Sequence, residues 1–294
     1  MRTFEVAGAN GLTLVADERG PVDAPPVLLL HGGGQTRHSW AGTSSVLAER
    51  GWRSITLDFR GHGESEWSPE GDYRLISFVA DTDAVVSTLD QPPFLIGASL
   101  GGFTSMLLAG EVHPGIARGV VLVDIIPEME SAGSHRIADF MSSKAQEGFA
   151  SLDEVADAIA AYNPHRPRPS NLDGLRKNVR ERNGRWYWHW DPAFAGGGKG
   201  VADMGPTEVT DTDRLHAAVQ RIVDAGVPMM LVRGRVSDLV SAEGAQRFCE
   251  RFPTVEFVDV SGAGHMVAGD RNDAFTDAVV SFLTRHGGSD STSE

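Results

Sequence analysis

Short uninterrupted apolar runs alternate along the chain with longer stretches whose apolar residues recur at helical spacing. This rhythm predicts strands joined by crossover helices in a mostly parallel sheet, an α/β architecture. Residues 3–6 and 12–16, split by the turn residues Ala9, Asn10 and Gly11, are the expected opening hairpin. Val27, Leu28, Leu29 and Leu30 follow one another without polar alternation, as a strand covered on both faces requires. The unit recurs at residues 54–57, 94–96, 120–123, 229–232 and 255–260, the expected central strands. Helices are expected over 42–50, 75–89, 100–112, 242–251 and 272–285.

The rhythm fails between Ile126 and about Arg221, where helical patterns surround an aromatic, Arg- and Pro-rich middle at 163–191. We read 126–221 as an inserted helical cap and 1–125 with 222–286 as the core that carries it. Gly196, Gly197, Gly198 and Gly200 are the expected flexible joint near its end. The Ser- and Gly-rich tail 287–294 is expected to be disordered.

Composition narrows the partners. A net charge of −14 argues against nucleic acid, whose phosphates are bound through clustered Lys and Arg. The single cysteine, Cys249, has no intramolecular disulfide partner and falls in a helical pattern, so a packed thiol is expected. The first residues lack a basic segment leading into an apolar one, and no apolar run approaches bilayer-spanning length. A cytoplasmic protein without a membrane partner is therefore expected; a homodimer is left open.

The chemistry centres on Gly97-Ala98-Ser99-Leu100-Gly101, a G-x-S-x-G set between an apolar strand and an apolar helix. A sharp strand-to-helix turn leaves no room for side chains beside the serine and projects its hydroxyl from the sheet, which makes Ser99 the candidate nucleophile. A serine needs a base, and the base needs a carboxylate to orient it. Of the ten histidines, His265 alone follows the last expected strand in a Gly-rich loop, where a strand's C-terminal end brings it to the edge carrying Ser99. Asp238 follows the strand at 229–232 and completes the order Ser, Asp, His, with Asp124, at the end of the strand 120–123, as the competing carboxylate.

Acyl transfer also needs donors for the developing oxyanion. The expected pair is the backbone N–H of Leu100 and that of Gly33 in His31-Gly32-Gly33-Gly34, with Gly34 one residue beyond the named donor. His31 is expected to pin this loop by hydrogen bonds. Asp58 and Arg60, in the turn after the strand 54–57, are expected to hold their loop packed beneath the site, since their surroundings match neither a phosphate loop nor a metal cluster.

The ordered set HGGG at His31, D-x-R-G-H-G-x-S at Asp58, GASLGG around Ser99, GxxxD at Asp238 and GAGH at His265 resembles the α/β-hydrolase superfamily, in its capped branch, over nearly the whole chain. The resemblance implies a mostly parallel eight-stranded sheet flanked by helices, and an activity like that of small bacterial serine carboxylesterases. Epoxide hydrolases and haloalkane dehalogenases of that branch use an Asp where this chain has Ser99, so their chemistries are not expected. The implied substrate is a small or medium ester, lactones included, with no metal or organic cofactor. A carbon–carbon bond hydrolase and a non-catalytic ligand receptor on the same fold are the rival readings. Trp186, Trp188 and Trp190 put three of the six tryptophans in one stretch of the cap, either to line the pocket or to join cap to core. Gly34, Phe103, Met129, Phe140 and Met266 are further pocket candidates by position.

Overall fold

The computed structural model describes residues 1–162, 168, 171–196, 211–261 and 272–287. In chain order these form β1 (Arg2–Ala7), β2 (Thr13–Arg19), β3 (Pro26–Leu30), α1 (Ala41–Glu49), β4 (Arg53–Leu57), α2 (Leu75–Val86), β5 (Phe94–Ala98), α3 (Leu100–Leu107) and β6 (Gly119–Val123). Then come α4 (Ser131–Ser142), α5 (Leu152–Tyr162), β7 (Val179–Arg182), β8 (Arg185–Trp188), α6 (Pro192–Gly196), α7 (Thr212–Asp224), β9 (Met229–Gly234), α8 (Ala242–Arg251), β10 (Glu256–Val260) and α9 (Asn272–His286).

Eight strands make one sheet in the order β1-β2-β4-β3-β5-β6-β9-β10. Only β2 runs against its neighbours; the pairs from β4 through β10 are parallel. The uninterrupted apolar runs are explained by burial on both faces. Leu28, Leu30, Leu95, Val120, Leu122 and Leu231 enter one core with α2, α3 and α7, whereas Val27, Leu29, Ile96, Val121, Val123 and Val232 enter a second with α1 and α9. Parallel strands place all their C-terminal ends on one edge, where an open α/β sheet binds its ligands. His31, Asp58, Ser99 and Asp124 each follow directly on such an end.

Two expectations about the insertion need correction. The segment expected to be a helical cap is not wholly helical: β7 and β8 pair as an antiparallel hairpin, and Phe149 bridges to Trp186. Aromatic and charged residues alternate there with the period of a strand, which the surrounding helical patterns obscured. The border at 221 also cuts through α7, a helix of the core. Leu215, Ala218, Val219 and Ile222 are buried in the first core, and Arg214 pairs with Glu111 at 2.6 Å just beyond α3. Cys249 is partly buried against the same core, as expected. The joint at Gly197, Gly198 and Gly200 and the tail at 288–294 lie outside the described residues. No helix among the described residues is long and apolar enough to cross a membrane.

The docking of α7 has a tight point. A Cβ on Gly110 would fall 2.1 Å from the carbonyl oxygen of Ala218, a backbone atom that cannot rotate away. Gly110→Ala is expected to destabilise the whole protein by about 1–3 kcal/mol. Urea unfolding with unchanged stability would mean that α7 is not held on the core this way.

Candidate active site

Ser99 sits between β5 and α3 with φ 48° and ψ −112°, a left-handed backbone that costs a residue with a side chain about 1–3 kcal/mol. Neighbouring glycines make the turn sterically possible. A Cβ on Gly97 would lie 2.2 Å from the Gly101 carbonyl oxygen, and one on Gly101 would lie 2.3 Å from that of Leu30 on β3. The turn is therefore packed backbone to backbone, and partly exposed Ser99 is held proud of the sheet edge.

The loop after β3 runs beside it. A Cβ on Gly32 would meet the Cβ of Ser99 at 3.3 Å. Two of the three glycine N–H groups are already engaged: Gly32 donates to the Gln35 side chain at 3.0 Å and Gly34 to Nε2 of His62 at 3.1 Å. The Gly33 N–H has no partner among the described residues. Leu100, first residue of α3, has by position no intrahelical acceptor for its own N–H. The N–H groups of Gly33 and Leu100 thus have no partner among the described residues.

The two candidate carboxylates are held differently. Asp124 is fully buried, with φ 51°, directly after β6. Its register partner chain is that of Ser99, since Ala98 pairs with Val123 and the Ser99 N–H donates to the Val123 carbonyl at 3.3 Å. The Asp124 carboxylate accepts from the Gly234 N–H at 3.0 Å and from the Ser237 hydroxyl at 2.5 Å. Asp238 is 31% exposed and turned to the cap, 2.8 Å from the Arg136 guanidinium of α4. His265 and Met266 lie outside the described residues.

Residues 25–271 match the family model described as the alpha/beta hydrolase fold. The chain belongs to the α/β-hydrolase family. It is 30% identical over 269 residues to esterase Rv0045c of Mycobacterium tuberculosis, covering 87% of this chain and 82% of that protein. It is 28% identical over 272 residues to the mouse sn-1-specific diacylglycerol lipase ABHD11, covering 90% and 82%. Among solved structures, an α/β hydrolase from Novosphingobium aromaticivorans superposes with a TM-score of 0.79 at 24% identity, covering 97% of this chain and 98% of that one.

In this α/β-hydrolase the expected supporting roles of His31, Asp58 and Arg60 are met. His31 Nδ1 donates to the Gly32 carbonyl at 2.8 Å, and its Nε2 accepts from the Phe59 N–H at 3.0 Å. Buried Asp58 accepts from the N–H and guanidinium of Arg37 and from the Glu64 N–H, tying the two loops together. Arg60 grips Asp81 through two bonds of 2.6 and 2.7 Å. Among the described residues no group of three or more His, Cys, Asp or Glu converges to hold a metal.

The segment that follows β8 lies on the glycine loop. Trp190 reaches within 3.3 Å of a Cβ on Gly34, and Trp188 stacks behind it at 4.8 Å. Both are buried, so the same aromatics join the inserted segment to the core and roof the loop. Trp186 stands farther along β8, under the Arg176 guanidinium. Phe103 is buried on α3; Met129 is half-buried, and Phe140 stacks on Tyr162 at 4.1 Å. Met141 and Phe194, which would lie 3.7 and 3.3 Å from a Cβ on Gly33, were missed by the sequence reading, as were His189 and Asp191. The only signal for the last two was their place in the run Trp188-His189-Trp190-Asp191-Pro192.

His31, His62 and His189 are all buried, and desolvation lowers each pKa: to about 4 for His31, to about 3 for His62, and well below the usual value for His189. The fold holds them neutral, while the unfolded chain takes up protons near pH 6.5. Their contribution to stability is full above that value and is lost as pH falls from 6.5 towards 4 and 3. His62→Gln is expected to cost about 1–3 kcal/mol at pH 7. It should also reduce the acid slope of stability between pH 6.5 and 4 by about 1.4 kcal/mol per pH unit, one proton's worth. Urea titrations at pH 4.5, 5.5 and 6.5 with an unchanged slope would contradict a neutral, buried His62.

Proposed function

We propose that this chain is a serine hydrolase of carboxylic esters that works through an acyl-enzyme. The observation that carries the reading is the left-handed Ser99 beside the two open N–H groups of Gly33 and Leu100. A nucleophile and two donors at one sheet edge suit an acyl carbonyl: the hydroxyl attacks carbon while the developing oxyanion is met by both N–H groups. The names of the related esterase and diacylglycerol lipase support ester chemistry.

His265 is assigned as the base on its sequence position. It takes the Ser99 proton during attack and returns it to the leaving alcohol; a water then enters by the same route and frees the acid product. For the carboxylate we now favour Asp124 over Asp238. Asp124 is buried, accepts from two donors and follows β6 as Ser99 follows the adjacent β5, whereas Asp238 is about a third exposed and paired with Arg136. A carboxylate that steadies an imidazolium acts most strongly where water is excluded. Met141, Phe194 and Trp190 over the glycine loop favour an apolar acyl or alcohol group.

The test is hydrolysis of p-nitrophenyl esters from acetate to decanoate by the wild type, Ser99→Ala, Asp124→Asn and Asp238→Asn. Ser99→Ala is expected to lose several orders of magnitude in kcat, and Asp124→Asn about 10³–10⁴-fold. Asp238→Asn should stay within about tenfold, as expected for an exposed ion pair. The reverse ranking of the two aspartates would return the role to Asp238. Turnover that is absent, or untouched by Ser99→Ala, would reject the esterase.

A further inference from the structure

Three consecutive peptide units make up the glycine loop, and a different histidine holds each. The Gly32 carbonyl, on the unit that carries the Gly33 N–H, accepts from His31 Nδ1 and from the Gln35 N–H at 3.1 Å. The next unit is held by its N–H, which Gly34 donates to His62. The third is held by its carbonyl: Gly34 O lies 3.2 Å from Nε2 of His189. His31 and His62 belong to the core, but His189 comes from the cap, directly after β8.

A stretch of glycines has no side chains with which to fix its own dihedral angles. Gly34, with φ 73°, sits at the third position of the turn closed by Gln35 N–H and Gly32 O, where a peptide flip is easily made. Its geometry must therefore come from outside the loop. The His189 ring is itself fixed: Nδ1 accepts from the Gly63 N–H at 2.9 Å, which leaves the proton of the neutral ring on Nε2, aimed at Gly34 O. Two residues on, the Asp191 N–H donates to the Gly61 carbonyl at 2.9 Å, and its carboxylate accepts from buried Tyr73 at 2.6 Å. This part of the cap is stapled to the loop after β4 and cannot swing away without breaking several buried hydrogen bonds.

The geometry points to His189 as a positioning residue of the oxyanion hole, a cap side chain that acts through the Gly34 carbonyl to hold the Gly33 N–H in register with Ser99. The inference rests on the esterase reading above. It makes the cap a working part of the catalytic edge as well as a cover for the substrate.

Two variants separate positioning from mere support, because each keeps one half of the ring's bonding. The Gln side chain reaches the Nε2 position and still donates to Gly34 O; the Asn side chain reaches the Nδ1 position and still accepts from Gly63 N–H. Each loses one buried bond, so His189→Gln and His189→Asn should lower the thermal midpoint by similar amounts. On the best p-nitrophenyl ester, His189→Gln is expected to keep kcat within about threefold. His189→Asn should lose about 10²-fold in kcat, the scale of a misplaced reacting geometry, with KM nearly unchanged. Affinity for a trifluoromethyl ketone, which binds as the serine hemiketal with its oxyanion in the hole, should fall in the same variant by a similar factor. Equal kcat losses in both variants, loss in neither, or loss carried by KM would overturn the inference and leave the esterase standing. A wild type with no Ser99-dependent ester turnover would remove the esterase reading and this inference with it.

Discussion

The backbone contact between the β5–α3 turn and β3 sets the geometry of everything around it. With the Gly101 Cα seated against the Leu30 carbonyl and Gly97 against the Gly101 carbonyl, no side chain fits on either glycine, and Ser99 is forced into the left-handed region. The strain is local and small beside the burial that opposes it: Leu30, Leu95, Leu122 and their neighbours on both faces of the sheet are inaccessible to water. A parallel sheet covered on both sides is stiff enough to hold one residue in a poor conformation, and that stiffness is what lets a hydroxyl stand at a fixed point on its edge.

The same edge shows how neutral histidines serve where charged ones would fail. An imidazole can accept at one nitrogen and donate at the other, so a single ring links an N–H on one loop to a carbonyl on the next. His31, His62 and His189 all do this, and each would lose its acceptor on protonation. Burial supplies the protection by making the charged form costly, which moves their titration well below neutral pH. The charged groups are placed farther out: Arg37 spans Asp17, Asp58 and Glu64, and Arg60 spans Asp81 and the Asp72 carbonyl, locking the loops from beneath. Neutral hydrogen-bonding rings thus hold the loops beside Ser99, and the charged pairs lie behind them.

The core was legible because its signals are local. Apolar runs with Gly or Pro at their ends fixed β3, β4, β5, β6 and β9 to within a residue or two, and the strand-to-helix context made Ser99 stand out from the chain's other serines. The cap was less so. Its hairpin is four residues a side, too short for alternation to register against neighbouring helical patterns, and the sequence of α7 reads as a continuation of the insertion. Met141, Phe194 and His189 were invisible for a further reason: they meet Gly33 and Gly34 across more than a hundred residues, and nothing in the local sequence of a helix or strand end tells which loop it will cover. Asp124 and Asp238 fall between these cases. Both were found as carboxylates at strand ends, but loop order alone does not report burial or the presence of Arg136.

Their separation bears on how the site divides its charges. Of the two carboxylates, Asp124 is the one whose position is over-determined, through the Gly234 N–H, the Ser237 hydroxyl and its place after β6. Ser237 is itself fixed, because its oxygen accepts from the N–H groups of Leu239 and Val240. The loop after β9 therefore serves Asp124 from one residue and the cap from the next: Ser237 turns inward to the sheet edge, and Asp238 turns outward to Arg136. The backbone of that loop also abuts α4, where a Cβ on Gly133 would come within 2.3 Å of the Asp238 carbonyl. A shift of α4 would be felt first at Asp238 and, one residue back, at the hydroxyl that holds Asp124. α4 and Asp124 are thus coupled through a single peptide, on the opposite side of Ser99 from the link between the inserted segment and the glycine loop through His189.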